Sequence, residues 1–130
     1  MAQAGGRAGF HTITPYLIHA EVDALVAFVT QAFDAVETFR SRGEAGGNHV
    51  EVRIGDSMLM IGGRAESEAF PAMLHLYVDD ADATYRRALA AGGSSLQEPS
   101  ESGDGDRRAG VGDRFGNQWW ISTHMAGAAN

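Results

Sequence analysis

Apolar residues recur along the first half of the chain with strand periodicity, then helix periodicity, then strand periodicity again. The stretch HTITPYLI (11–18) is rich in β-branched and aromatic residues, which predicts a strand. The next stretch predicts a helix with an apolar face formed by Val22, Leu25, Val26, Val29 and Phe33. Three more strands are predicted at VETFRS (36–41), NHVEVRIG (48–55) and SMLMI (57–61). The first half is therefore predicted to be a βαβββ unit.

The second half of the chain restarts the same order. MLHLYV (73–78) predicts a strand, and DDADATYRRALAAGG (79–93) predicts a helix that begins with acidic residues and ends before two glycines. Three further strands are predicted at residues 94–96, at RRAGVGD (107–113) and at NQWWIS (117–122). The pattern is a second βαβββ unit.

The two halves also match in sequence. LIHAEVDA (17–24) aligns with LYVDDADA (76–83) at an offset of 59, and GDSMLMI (55–61) aligns with GNQWWIS (116–122) at an offset of 61. Each copy is too small to bury its sheet face alone, so the two should pack on each other or on a partner chain.

Composition and charge narrow the class of protein. The 130 residues, 44% of them hydrophobic, suffice for one domain, and a net charge of −7 disfavours nucleic-acid binding. There is no cysteine, which excludes disulfides and thiolate metal sites but does not constrain the compartment. No signal-like segment and no membrane-spanning run is found either, so a cytoplasmic protein without membrane contact is expected. The expected layout is a flexible leader (1–10), one domain (11–124, with modules at about 11–63 and 72–124) and a flexible tail (125–130).

Four ordered segments together resemble a known family. ITPYLI with the helix after it, HVEVRIGDSMLMI, LHLYVDDADA and GDRFGNQWWISTH resemble the vicinal oxygen chelate superfamily, which includes glyoxalases, bleomycin resistance proteins and extradiol dioxygenases, and most closely its PhnB-like branch. The resemblance implies an α+β fold in which two βαβββ modules form a curved, mostly antiparallel sheet cup, completed as a homodimer. Ligands bind in that cup, but the fold does not select one of the family's chemistries.

The metal ligands of the family are missing from the matching positions. In metal-dependent members, His, Glu or Gln on the first and last strand of each module hold a divalent ion. Those positions carry over to Thr14, Leu59, Met73 and Trp120, none of which is a usual ligand. The resemblance therefore implies no cofactor.

A looser register gives an alternative. His49 and Glu51 share a strand face, and a shift by two residues on the fifth strand adds His75, so the three could hold a divalent ion such as Ni, Zn, Mn or Fe. The same three residues are the candidate catalytic groups. Otherwise, His49 and Glu51 pair with each other, with Arg53 or with water.

The side chains of the adjacent tryptophans are expected to lie on opposite sides of the sheet, because neighbouring strand residues face opposite sides. Trp120 is expected to point into the cup as a flat surface for a planar ligand, and Trp119 to pack behind the sheet with Met58 as its counterpart. The alternative places both in the core or a dimer interface. The residues expected to line the cup are Tyr16, Leu59, Met73, His75, Tyr77, Gln118 and Trp120. The stretch 97–110 is expected to be a flexible segment that covers the cup, or a solvated loop.

Three functions fit these features. The first is metal-independent sequestration of a small hydrophobic or aromatic molecule, as in antibiotic resistance. The second is a lyase, isomerase or dioxygenase that uses a shifted metal site, or His49 or His75 as a general base. The third is a domain that mainly dimerises or binds a protein. The first is preferred, with a small-molecule ligand and a second copy of the chain as partners.

Overall fold

The computed structural model describes residues 5–42 and 47–125. In chain order, the elements are β1 (Tyr16–Ile18), α1 (Val22–Phe33), β2 (Val36–Arg42), β3 (Asn48–Ile54), β4 (Ser57–Gly62), a 3₁₀ turn (Glu66–Glu68), β5 (Met73–Tyr77), α2 (Ala81–Ala90), β6 (Ser94–Glu101), β7 (Asp106–Gly112) and β8 (Gln118–His124). Residues 1–4 of the expected leader and 126–130 of the expected tail lie outside the described residues. The order βαβββ occurs twice, as predicted.

Each half forms its own four-stranded sheet. The strand orders are β1-β4-β3-β2 and β5-β8-β7-β6, and these two halves are here called module 1 and module 2. The pairs β1/β4 and β5/β8 are parallel, and the remaining pairs are antiparallel. The chain separates into two compact units at residue 70, except that Gln31–Phe33 at the end of α1 group with module 2. The predicted α+β class with two mostly antiparallel βαβββ modules is confirmed.

The sheet of module 1 has one buried face and one open face. The buried face carries Leu17, Val50, Val52, Leu59 and Ile61, each at most 3% exposed. The opposite positions hold Tyr16, Phe39, His49, Glu51 and Met60, and this set is called the open face of module 1. Strand alternation produces this division, because successive side chains point to opposite sides of the sheet.

The sheet of module 2 is divided in the same way. Helix α2 lies against β6, β7 and β8, and its buried residues are Ala81, Tyr85 and Ala88. The Asp80 carboxylate caps this helix by accepting a hydrogen bond from the Ala83 amide at 3.1 Å. Trp119 is fully buried on the helix-facing side, and the Phe33 ring lies 4.9 Å from it. The predicted role of Trp119 as a core residue is therefore confirmed.

The predicted first strand is too long. Only Tyr16–Ile18 form β1, although the apolar pattern began at residue 11. Pro15 precedes the strand and has no amide hydrogen, but its carbonyl oxygen accepts a hydrogen bond from the Met60 amide at 3.0 Å. The hydrogen-bond ladder between β1 and β4 therefore begins at Pro15.

The segment 97–110 is a β-hairpin instead of a long loop. Strand β6 extends to Glu101, a short turn follows, and β7 begins at Asp106. The register of β6 against β7 shifts twice, between Ser95 and Gln97 and between Gln97 and Ser100. Because of these bulges and the exposure of nearly all of β6, buried and exposed residues do not alternate along this strand. The sequence therefore predicted a loop at residues 97–110.

Part of the expected leader contacts module 1. Phe10 is buried, and its amide donates a hydrogen bond to the Arg7 carbonyl at 3.1 Å. The Arg7 guanidinium reaches Glu51 on β3. The folded unit thus includes residues that the sequence placed outside the domain. No helix in the described part of the chain is long and apolar enough to cross a membrane.

Candidate functional site

The open face of module 2 gathers most of the residues expected to bind a ligand. Strand pairing aligns Met73 with Gln118, His75 with Trp120, and Tyr77 with Ser122. Registered residues of neighbouring strands point to the same side of a sheet, so these side chains share the face opposite Trp119. Met73 is 69% exposed and Tyr77 is 67% exposed. This face combines accessible apolar and aromatic groups with polar neighbours.

The indole of Trp120 lies across a glycine. Its partner on β7 is Gly110, and a Cβ atom built there would lie 2.6 Å from the Trp120 ring. The indole Nε1 donates a hydrogen bond to Gln118 Oε1 at 3.2 Å, which holds the Trp120 ring in one orientation. Gly112 lies two residues further along β7, and a Cβ atom built there would lie 3.5 Å from the Leu96 side chain. Sequence reasoning missed Gly110 and Leu96, although a glycine inside a strand signals a close approach.

A polar cluster borders this aromatic face. Asp106 is buried, and its carboxylate accepts hydrogen bonds from the Tyr77 hydroxyl at 2.9 Å and from Arg108 at 3.3 Å. His124 Nδ1 lies 2.8 Å from the other carboxylate oxygen. Arg108 also donates to Ser122 Oγ at 3.1 Å. The cluster places polar groups at the edge of a ring-lined surface, the usual composition of a small-molecule site.

The cluster shifts the pKa values of its members in opposite directions. The hydrogen bond with His124 is the largest cause that lowers the pKa of Asp106, and the bonds with Tyr77 and Arg108 act in the same direction. The hydrogen bond to Asp106 raises the pKa of Tyr77, because the phenol loses its best partner when it ionises. Tyr77 is therefore held in its neutral, hydrogen-bond-donating form.

Tyr77 is expected to ionise at a higher pH than an ordinary tyrosine. Alkaline titration of the tyrosinate absorbance, compared with a Tyr77→Phe variant, isolates this phenol from Tyr16 and Tyr85. Because the pKa of Tyr77 is raised in the folded protein, its contribution to stability is complete below the unfolded pKa and decreases as pH rises beyond it. In an Asp106→Asn variant, the midpoint should move down towards the ordinary value. An unchanged midpoint in that variant would contradict the role given to Asp106.

The open face of module 1 carries a second polar cluster. The Tyr16 hydroxyl lies 3.0 Å from His49 Nδ1, and His49 Nε2 lies 3.0 Å from Glu51 Oε2. Arg7 Nε reaches the same Glu51 oxygen at 3.2 Å, and its guanidinium lies 4.5 Å from the centre of the Phe39 ring. The spacing of His49 and Glu51 predicted that these two side chains could pair. The contribution of Arg7 was not predicted.

The predicted position of Leu59 on the ligand face is wrong by one residue. Leu59 is 3% exposed and pairs with Val52 on the buried face. Met60 instead aligns with Tyr16, as Trp120 aligns with His75 in module 2. The counterpart of Trp119 is accordingly Leu59 and not Met58.

The side chains at the expected metal positions do not fit a divalent ion. Thr14 precedes β1, Met73 and Trp120 offer no hard donor, and the described residues contain no group of three His, Cys, Asp or Glu that could hold a metal. His49 uses both ring nitrogens in hydrogen bonds, and Glu51 is engaged by Arg7. The pairing of His49 with Glu51 matches the alternative in which they bind each other.

In each of the two βαβββ modules, the pair of strands at one edge of the sheet is parallel and the other pairs are antiparallel. This arrangement defines the vicinal oxygen chelate class of proteins. The chain belongs to the Glyoxalase/Bleomycin resistance protein/Dioxygenase superfamily, whose sequence profile matches residues 9–121.

Individual relatives agree with this family. The uncharacterized protein Mb0911c of Mycobacterium bovis is 32% identical over 120 residues, which covers 82% of this chain and 79% of that protein. Among solved structures, TioX from Micromonospora sp. ML1 has 20% identity and a TM-score of 0.74, and covers 88% of this chain and 99% of TioX. A glyoxalase/bleomycin resistance protein/dioxygenase family enzyme from Burkholderia phytofirmans PsJN has 20% identity and a TM-score of 0.71, and covers 85% and 95% of the two chains. The structural likenesses concern the fold alone, and the PhnB-like branch stays a prediction.

Proposed function

We propose that this protein binds a small hydrophobic or aromatic molecule on the open face of module 2 and sequesters it without a metal ion. The observation that carries the proposal is the exposed aromatic surface around Trp120. The indole is half-buried, held by Gln118 and supported by the backbone at Gly110. A ring held in this way loses little conformational freedom on binding, which favours stacking of a flat ligand.

The polar border of the same face gives the ligand an orientation. The Tyr77 hydroxyl and Arg108 lie at the Asp106 end of the surface, and Met73 lies at the other end of β5. A molecule with an aromatic body and one polar or anionic end fits this arrangement, because its body covers apolar area and its polar end meets the Arg108 guanidinium. Sequestration in antibiotic resistance requires this kind of binding and no catalysis.

Homodimerisation is also part of the proposal. Several large apolar side chains are exposed on the single chain, among them Ile13 at 85% and Phe70 at 69%. Exposed apolar groups of this size are common at protein interfaces. Light scattering coupled to size exclusion reads the mass directly, so loss of ligand binding can be separated from loss of a dimer.

Trp120→Ala is expected to weaken ligand binding by roughly 30-fold, or about 2 kcal/mol, because the central aromatic contact is lost. A screen of planar aromatic natural products by fluorescence quenching finds the ligand, and calorimetry then compares the variants. The screen uses a Trp119→Phe variant, in which Trp120 is the only remaining tryptophan.

Val36→Ala serves as the control for this prediction. Val36 is 47% exposed on β2 of module 1, so its removal trims exposed apolar area away from the proposed surface. This variant should retain wild-type affinity. Equal affinities of the wild type and Trp120→Ala for every binding compound would contradict the proposed site.

A second candidate function is an enzyme of the same superfamily. The hydrogen-bonded set of Tyr16, His49 and Glu51 favours it, since an ordered histidine–carboxylate pair is suited to proton transfer. Elemental analysis distinguishes a metal-dependent form: near-stoichiometric metal that disappears in a His49→Ala, His75→Ala double variant would favour a lyase, isomerase or dioxygenase. Turnover without metal would favour a histidine-based mechanism.

A further inference from the structure

Two neighbouring strands of module 1 place a buried carboxylate beside an aromatic ring. Glu51 on β3 and Phe39 on β2 are paired in the register of the sheet, so both side chains lie on the open face of module 1. Glu51 is 1% exposed, whereas Phe39 is 38% exposed. A carboxylate next to an accessible ring suits a flat organic cation, because the cation pairs with the carboxylate and also interacts with the ring.

The chain places its own arginine in this environment. Arg7 Nε lies 3.2 Å from Glu51 Oε2, and the central carbon of the Arg7 guanidinium lies 4.5 Å from the centre of the Phe39 ring. One planar cation thus contacts the carboxylate and the ring at the same time. The guanidinium is therefore a chemical group that these two side chains accept together.

The carboxylate belongs to the sheet, but the arginine comes from an exposed segment. Strand β3 pairs with β2 on one side and with β4 on the other, and His49 Nε2 lies 3.0 Å from Glu51 Oε2. Residues 5–9 are exposed, and Phe10 is the buried end of this segment. The Arg7 side chain is itself 56% exposed. Arg7 can therefore leave into water while the carboxylate stays in place.

Departure of Arg7 removes a partner from a buried charge. Among the described residues, the Glu51 carboxylate then keeps only His49 Nε2 within hydrogen-bond distance. A buried charge that loses its partner is strongly unfavourable, so the vacated position attracts another cation. A second guanidinium restores the ion pair and the ring contact together, which an anion or a neutral molecule does not.

We propose that Glu51 and Phe39 form a binding site for a small molecule that carries a guanidinium group, and that Arg7 occupies this site until the ligand displaces it. The N-terminal segment thus lowers the affinity of the site by filling it. The exchange makes and breaks no covalent bond. The site lies in module 1 and does not depend on the proposed ligand surface around Trp120, so each can be tested without the other.

Arg7→Ala tests whether the arginine occupies the site. The probe is methylguanidinium, and saturation-transfer NMR on its methyl signal measures binding to the full chain. Arg7→Ala should bind the probe at least about 10-fold more tightly than the wild type, because an occupied site is open only in the small fraction of molecules that Arg7 has left. The probe should also raise the melting temperature of Arg7→Ala in a saturable way. Equal affinities of the two proteins would overturn the proposal.

Arg64→Ala is the matched control, because Arg64 is also an exposed arginine of module 1 but its partner Glu68 is 55% exposed. This variant uncovers no buried carboxylate, so it should bind the probe like the wild type. An Arg7→Ala, Glu51→Gln double variant should lose the binding that Arg7→Ala gains. Binding retained in the double variant would place the probe elsewhere and contradict the proposed site.

Methylammonium distinguishes recognition of a guanidinium from recognition of charge alone. It should bind Arg7→Ala more weakly than methylguanidinium does, because a compact ammonium ion lacks the flat surface that stacks on the Phe39 ring. Equal affinity for the two cations would show that the site does not select a guanidinium.

The wild type offers a second measurement that does not require Arg7→Ala to fold. The Nε–H signal of Arg7 in ¹⁵N NMR is assigned by its absence from the Arg7→Lys variant. As methylguanidinium is added, this signal should move towards the position of a solvated arginine. A signal that stays unchanged in a large excess of the probe would show that Arg7 is not displaced, and the proposal would be wrong.

Discussion

Replacement of Trp119 by alanine is expected to destabilise the protein by about 3–5 kcal/mol, the range for deletion of a large buried aromatic side chain. Trp119 is fully buried, between Leu74 on β5 and Val111 on β7 in the register of the sheet. Its Nε1 also donates a hydrogen bond of 2.8 Å to the Asp113 carboxylate, so the variant loses a polar contact along with apolar volume. The melting temperature should fall by roughly 10–20 °C.

The adjacent Trp120 is the matched comparison for this prediction. Trp120→Ala should cost about 1 kcal/mol or less, because the indole is half-buried and its single described hydrogen bond goes to the neighbouring open-face residue Gln118. Urea unfolding followed by far-UV circular dichroism measures both variants without a tryptophan signal. Similar losses for the two substitutions would show that the faces of β8 have been assigned wrongly.

The locations of Trp119 and Trp120 on opposite sides of the sheet were predictable from sequence, because β8 is a regular strand in an amphipathic sheet. Alternation assigned one ring to the helix side and the other to the open side. The repeated order of elements was predictable for the same reason, since each strand and helix has its own period. These features depend on local spacing, which the sequence displays directly.

The register of β4 was not predictable by the same reasoning. The sequence match placed Gly55 over Gly116, but the turns around these glycines differ in length. Two residues separate Ile54 from Ser57, whereas three separate Asp113 from Asn117. A difference of one residue moves every later side chain to the other face, which is why Leu59 was exchanged for Met60. Turn length is decided by backbone hydrogen bonds that sequence similarity does not reveal.

The polar clusters were predictable only where their members are close in sequence. His49 and Glu51 are two residues apart on one strand, so their pairing could be foreseen. Tyr16 and Arg7 reach them from separate segments, and strand register brings them into contact. Asp106 was overlooked because its stretch was interpreted as a loop. Contacts between distant segments depend on register, which is the least certain step of a prediction from one sequence.

Asp113→Ala is expected to destabilise the protein by about 4 kcal/mol, because four donors lose their acceptor at about 1 kcal/mol each. One carboxylate oxygen accepts from the amides of Phe115 and Asn117, both at 2.9 Å. The other accepts from the Asn117 side chain at 3.0 Å and from the Trp119 indole at 2.8 Å. Asp113 is only 9% exposed, so water cannot readily replace it.

Asp56→Ala is the control, because Asp56 lies in the corresponding turn of module 1 but is exposed, and among residues 5–42 and 47–125 it accepts only from Ser57, at 3.0 Å. It should change the free energy of unfolding by less than about 0.5 kcal/mol. Urea unfolding compares the two variants, and amide exchange of residues 113–117 shows whether the turn has opened. A loss below 1 kcal/mol for Asp113→Ala would mean that the turn does not depend on this carboxylate.

The same carboxylate links the turn to the ligand surface. Asp113 fixes the turn that determines which residues of β8 face the helix, and it holds the indole of Trp119 on that side. If the turn loses its register by one residue, Trp119 and Trp120 exchange faces. Asp113→Ala should therefore weaken ligand binding at Trp120 even in the fraction that remains folded, whereas Asp56→Ala should leave the affinity unchanged. If the folded Asp113→Ala protein keeps the wild-type affinity, Asp113 stabilises the turn but does not determine the register of β8.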